Sequence, residues 1–422
     1  MKFIRLGICA LAAFAVAAHG AVENWSSAVL EVGSAVLLAY WGFLVFRGSA
    51  QHIRSHPLFA PLATFAGVVL FQLLLKVTVS PYAAKVELLR LFSYGVLLFL
   101  AVQAYRTLED WRGFVWFLLV LGFVVSVFGI LQHLTFNGKL YWVREMRYGG
   151  IPFGPYVNRN HFAGFVELVV PPGLAALVMG KVRRDQWMLV GVLTLFPIAA
   201  LFLSASRGGI ISFLVEIFAL LLLIWLGRRE QKQLLVGALV VLLAGGLVAW
   251  LGVAQALDRF SGYREFEVKE DKRVSMARDT WRIFLDHPIV GTGMGTFQSV
   301  FPKYETLYDG KIVNHAHNDY VEVLAETGVA GVACCAWFLS VLLVKGVQNV
   351  RNRTSALQAT LQMGALVSCV GLLTHSLVDF NLHIPSNALL FFLLAGFASG
   401  HISGVRHFPK PAERTMEAEF VA

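Results

Sequence analysis

Apolar stretches of roughly 17–25 residues, each long enough to cross a bilayer, recur along the whole chain and leave it little choice of architecture. Candidate spans cover 3–19, 28–46, 58–76, 88–105, 113–134, 161–180, 187–204, 209–227, 233–252, 319–344, 359–380 and 386–402. Charged residues make up only 14% of the 422 positions, against roughly 25% in soluble domains. The expected fold is therefore an all-α polytopic membrane protein of about 12 transmembrane helices. The first stretch has Lys2 and Arg5 before its apolar core and small residues around Ala17 and Ala18, as a cleavable signal would. An uncleaved helix is the preferred reading, because it places both termini on one side.

The short loops set the orientation. Lys2 and Arg5, Arg47 and Arg54, Arg106 and Arg112, Lys181, Arg183 and Arg184 fall on alternate connections. The pattern continues through Arg228, Arg229 and Lys232, Lys345, Arg351 and Arg353, and finally Arg406, Lys410 and Arg414. By the positive-inside rule this side is cytoplasmic. The net charge of +9 is thus loop bias, and nucleic acid is not an expected partner. Four segments follow: 1–252 with nine spans, a large external loop at 253–318, three spans in 319–402, and a cytoplasmic tail at 403–422. The external loop carries nine Lys/Arg and nine Asp/Glu, so it is no polybasic arm. Trp281, Phe284 and Leu285 have the spacing of an amphipathic helix, ended by Pro288 and Gly291, Gly293 and Gly295. A small helical cap is expected there. The glycine string follows a helix-like stretch and not a strand, which excludes a dinucleotide fingerprint. Cys9, Cys334, Cys335 and Cys369 sit inside apolar runs without metal-ligand spacing and read as small buried residues.

The unusual polar motifs all fall on the external side. Asn314-His315-Ala316-His317-Asn318-Asp319-Tyr320 stands where the long loop enters a span, and ionisable groups at such a boundary are functional candidates. Its histidines suit acid–base work near neutral pH. As metal ligands they would need further donors, which Asp319, Asp379 and His383 could supply. Asp319, Glu322 and Glu326 share one helical face, where one of them could orient an imidazole. Ser204-Ala205-Ser206-Arg207-Gly208-Gly209 opens a helix, whose free N–H groups together with Arg207 can converge on an anion; a Ser/Gly turn with a snorkelling arginine explains it equally well. Arg144, Arg147, Arg159 and His161 run against the charge bias of external loops, which an anionic ligand or anionic lipid would explain.

Taken in order, Asn-Arg-Asn-His-Phe-Ala-Gly, Ser-Ala-Ser-Arg-Gly-Gly, the run from Arg273 through Asp286-His-Pro-Ile-Val-Gly-Thr-Gly-Met-Gly-Thr-Phe, His-Ala-His-Asn-Asp-Tyr and Asp-Phe-Asn-Leu-His-Ile-Pro resemble the O-antigen ligase superfamily. That superfamily also holds O-antigen and exopolysaccharide polymerases and bacterial O-linked protein oligosaccharyltransferases. The motifs span about residues 150–400. The resemblance implies an inverting, metal-independent glycosyltransferase of the bacterial inner membrane, without cofactor, whose site faces the periplasm. Its donor would be an undecaprenyl-diphosphate-linked glycan, and its acceptor a glycan or lipid A–core. The family's histidine base maps to His317, with His315 beside it. The diphosphate-binding arginines map to Arg207 and Arg273, with Arg159 from a less diagnostic motif. Ala277 stands where a tryptophan is expected four residues after Arg273, and Trp281 follows a turn later, so Arg278 is the reserve candidate. A transporter or flippase of lipid-linked sugars is the rival reading. It would favour charges at mid-membrane and repeat symmetry.

Overall fold

The computed structural model describes residues 1–48, 53–145, 151–227, 246, 263–308, 310–351 and 355–401. Among them the regular structure is all helical. We number the α-helices α1 (Lys2–Ala17), α2 (Asn24–Phe46), α3 (Phe59–Leu74), α4 (Pro81–Ala104), α5 (Leu108–Leu134), α6 (Arg159–Val169) and α7 (Pro171–Val178). They continue as α8 (Trp187–Ser204), α9 (Arg207–Leu226), α10 (Tyr263–Asp286), α11 (Phe297–Val300), α12 (Asp319–Arg351), α13 (Ala356–His375) and α14 (Pro385–Ser399). Among the described residues eight candidate spans are long and apolar enough to cross a membrane, α6 and α7 counting as one, while α3 and α14 are shorter apolar helices. The expected span at 233–252 lies outside the described residues apart from Gly246, as do Arg147 and the 403–422 tail.

Burial sorts the helices into an inner and an outer set. Residues 159–178, α13 and α14 are the most buried. α13 packs against α7, α9, α12 and α14. Small residues make this possible: a side chain at Gly364 would run into the backbone of Pro172, so the two helices touch main chain to main chain, as small-residue packing in membranes allows. At the periphery Val36, Phe46, Leu74, Met188 and Phe218 are exposed. Exposed apolar side chains on helices this long are what lipid solvates.

Two local devices shape the polar end of the bundle. α12 is broken at Gly328 (φ 59°, ψ −163°), a conformation open only to glycine, so Asp319–Thr327 forms a short segment before the long apolar one. The glycine string from the sequence wraps this break. Gly291 (φ +69°) lies against the main chain of Glu326, whose carboxylate accepts from the N–H groups of Gly295 and Phe297, both at 2.8 Å. Gln72 of α3 donates to the Glu326 carbonyl at 2.8 Å. The string is therefore a clamp joining the cap to the bundle. Gly291→Ala would strain the backbone and collide with Glu326, so a loss of about 1–3 kcal/mol is expected, read as a lower thermal unfolding midpoint in detergent. α10 ends at Asp286, as Pro288 and the glycines dictate, and packs on α12.

Candidate functional site

The site is built from four turns that meet at Asp379. This carboxylate is fully buried in the turn between α13 and α14. Asn160, in the first turn of α6, donates to it and accepts at 2.9 Å from the hydroxyl of Ser206, the N-cap of α9. Ser206 in turn accepts from Gly209 N–H at 3.2 Å. One chain of polar contacts thus fixes the starts of two helices, and those starts carry Arg159 and Arg207 as first helical residues. Gly208 is needed at this join, because a Cβ there would stand 2.7 Å from His375 Nε2.

The fourth turn brings His317, which joins His161 from the first turn of α6. His317 Nδ1 and His161 Nε2 each lie 3.7 Å from Asp379, too long for a hydrogen bond yet within reach of its charge. Burial alone would raise the Asp379 carboxyl, but the two imidazoles outweigh it and hold the group well below the usual carboxylate range. His317 Nδ1 is buried without a hydrogen-bond partner, whereas the side chain is 33% exposed, so the open part is the rest of the ring. The backbone there is left-handed (φ 51°), as it is at Ala205 (φ 52°) in the neighbouring turn. Such conformations are costly for non-glycine residues and gather at functional sites. Phe380 touches three imidazoles: it stacks on His315 at 4.3 Å and meets His161 and His317 edge-on at 4.8 and 5.0 Å.

The remaining members of the His-Ala-His-Asn-Asp-Tyr motif hold the turn in place. Asn318 caps α12 through Tyr320 N–H and Val321 N–H and donates to Leu377 carbonyl at 2.9 Å. Tyr320 hydroxyl donates to Leu373 carbonyl at 2.7 Å. His315 Nδ1 bonds Glu322 at 2.7 Å, and the other oxygen of Glu322 accepts from Ala316 N–H. His315 is thereby committed to Glu322, while His317 is not so engaged.

His383 sits between two carboxylates, with Nδ1 2.7 Å from Asp319 and Nε2 3.4 Å from Glu322. Burial disfavours its charge, but Glu322 and Asp319 prevail and push its pKa up to about 10. A group raised in this way stabilises the fold fully below its ordinary value of 6.5 and loses that contribution as pH climbs through 10. Wild-type protein should therefore lose thermal stability between about pH 6.5 and about pH 10, and His383→Gln should show a flatter profile over the same range. His315, Glu322 and His383 also offer three ligand atoms within 4.8 Å of one another. Among the described residues they are the ones placed to hold a divalent cation, and a proton on His383 satisfies the same carboxylates.

Arg273 and Arg278 are exposed on α10 and make no hydrogen bond or ion pair with the Asp379 cluster. Arg144 pairs with Glu23, so an intramolecular partner and not a ligand accounts for it. Ionisable groups are also not confined to the polar end. Glu167 of α6 bonds His375 Nδ1 at 2.8 Å, and Glu216, about 14 Å along α9 from its start, is buried against Gly371 without a hydrogen bond. Beside the cluster an apolar cavity of about 480 Å³ runs between α3, α4, α12 and α14, lined by Phe65, Leu91, Leu324, Phe338 and Phe392 and reaching Asp319 and His383.

These features define a polytopic membrane protein with a buried carboxylate, imidazoles and helix-opening arginines gathered at one end of the bundle and an apolar cavity alongside. Residues 192–336 match a family model described as O-antigen ligase. The matched stretch contains Arg207, Arg273, Arg278, His315 and His317 but neither Arg159 nor Asp379. No curated protein matches the chain.

Proposed function

We propose that the protein is an inverting glycosyltransferase, a polysaccharide ligase or polymerase acting on an undecaprenyl-diphosphate-linked glycan. The observation that carries this reading is the convergence of two arginine-bearing helix starts with an unengaged histidine at one buried carboxylate. Helix N-termini and arginines suit a diphosphate. In this reading Arg207 and Arg159 receive the diphosphate, joined by Arg273 or Arg278 from the cap, and the apolar cavity takes the first isoprenyl units. His317 removes the proton from an acceptor hydroxyl, with Asp379 orienting the ring and stabilising its imidazolium as carboxylates do in other acid–base sites. The hydroxyl oxygen attacks the anomeric carbon, whose bond to the diphosphate oxygen breaks with inversion. The arginines stabilise the charge gathering on the leaving group, the work that a metal does elsewhere.

The same reading gives twelve spans, with the cap and site at the periplasmic face of a bacterial inner membrane. Its segments are 1–252, 253–318, 319–402 and 403–422. The acceptor is a glycan or lipid A–core in preference to a protein. The test uses purified protein, a lipid-diphosphate-linked oligosaccharide and excess EDTA. Release of undecaprenyl diphosphate with glycan transfer is the expected result. Transfer that stops in EDTA and returns with a divalent cation would place a metal on His315, Glu322 and His383. The buried Glu167, Glu216 and His375 are the one feature that favours a transporter, and donor moving across liposomes without bond cleavage would establish that instead.

A further inference from the structure

The helix of the cap has two apolar faces, and its packing uses only one. Met276 and Ile283 of α10 are buried and pack with Phe297, Phe301 and Ala316. On the opposite side Val274, Trp281 and Leu285 are exposed. At about 100° per residue these three fall within a sector of about 40°. A surface helix needs one apolar stripe to join its core, and a second stripe facing outward marks a further contact. Arg278 stands at the edge of this stripe, with Arg273 and Arg282 to either side, all three exposed. We infer that this face of α10 lies against the lipid surface on its own side of the membrane, with Val274, Trp281 and Leu285 among the upper acyl chains and the arginines at the headgroup phosphates.

Hydrogen bonds set the level at which α10 ends. Just past it, the carbonyls of Pro288 and Ile289 accept from Val329 and Ala330 N–H at 2.9 and 3.1 Å, the residues that open the apolar segment of α12. The Thr292 carbonyl accepts from Val79 N–H at 2.9 Å, beyond the end of α3. Ile289, Val329, Val79, Leu74 and Leu75 are all exposed. The end of α10 is thus stitched to apolar helix ends of the kind that lipid solvates, and the stripe continues their surface. An apolar face carrying an indole and bordered by arginines also has the composition of helices that lie in a membrane interface. The arginine stems can follow the apolar surface while their guanidinium groups reach the phosphates. Immersion holds Arg278 at headgroup level, which in the proposed reaction is where the donor's diphosphate lies. That consequence rests on the proposed reaction; the immersion itself does not.

The test is nitroxide accessibility in the full-length protein, reconstituted in vesicles of phosphatidylglycerol and phosphatidylcholine. Val274→Cys, Leu285→Cys and Asp286→Cys are labelled separately, and labelled wild type supplies the background from Cys9, Cys334, Cys335 and Cys369. All three substituted positions are exposed, so each variant should keep the wild-type unfolding midpoint. The ratio of oxygen to aqueous nickel-chelate collisions at Val274 and Leu285 should exceed that at Asp286, on another face, by at least about fivefold. A preference for the nickel chelate at all three positions would put the stripe in water and overturn the inference. Labels shielded from both reagents would show that protein covers the stripe, a second copy included, and would overturn it too. Lipid at Leu285 with water at Val274 would stand the helix upright, since the stripe runs about 17 Å along it, and would equally overturn immersion of the face. The measurement reads no turnover, so its failure and that of the glycan-transfer assay are distinguishable.

Discussion

His317→Asn is expected to reduce glycan transfer by about 10²–10⁴-fold, the usual contribution of a positioned acid–base group, while leaving membrane insertion and the unfolding midpoint close to wild type. Asparagine is the apt replacement because His317 is left-handed (φ 51°), and asparagine accepts that conformation more readily than other side chains. The variant therefore removes the imidazole without adding backbone strain. His315→Gln is the informative contrast. His315 is bonded to buried Glu322, so its loss should lower the unfolding midpoint more than His317→Asn does and affect transfer through the shape of the turn. Turnover is measured as released undecaprenyl diphosphate under donor saturation. Equal turnover by His317→Asn and wild type would sink the assignment of the base.

Arg207→Gln is expected to lower transfer by about 10²–10³-fold, the range seen when one donor to a developing negative charge is removed. Arg207→Lys should fall between the two, since lysine keeps the charge but not the forked geometry suited to a diphosphate. The effect should fall chiefly on kcat, because charge on the leaving diphosphate grows as the glycosidic bond breaks. A variant with an unchanged kcat and only a higher KM would restrict Arg207 to ground-state binding. The same pair of substitutions at Arg273 and Arg278 separates the two cap arginines, both of which are exposed on α10.

Much of the fold was legible because hydrophobic run length maps directly onto helices in lipid, and the site-bearing turns announced themselves as polar breaks between such runs. His315, His317, Arg159 and Arg207 stood out in this way. Asp379 was visible as a carboxylate able to assist a metal and as the first residue of the Asp-Phe-Asn-Leu-His-Ile-Pro motif, with no role at the centre of a site. Its place at the centre depends on contacts to Asn160 and His317, 219 and 62 positions away, and no local pattern encodes contacts of that range. A usable signal was present in Asp379-Phe380-Asn381-Leu382-His383, a polar turn on the same side as the other motifs. Arg144 was misleading for a similar reason. Charge bias marked it as exceptional, and only the fold reveals Glu23 as its partner. Glu167 and Glu216 were hidden inside apolar runs that a single carboxylate does not interrupt.

The chain of contacts from Ser206 through Asn160 to Asp379 has a consequence for biosynthesis. A membrane chain is inserted from its N-terminus, so both arginine-bearing turns are in place long before residue 379 leaves the ribosome. Until the α13–α14 hairpin arrives, Asn160 lacks its acceptor and His317 its counter-charge. The nascent protein is thus without its assembled polar centre for nearly the whole of synthesis, and truncated chains lacking that last hairpin should accumulate in the membrane as inert products.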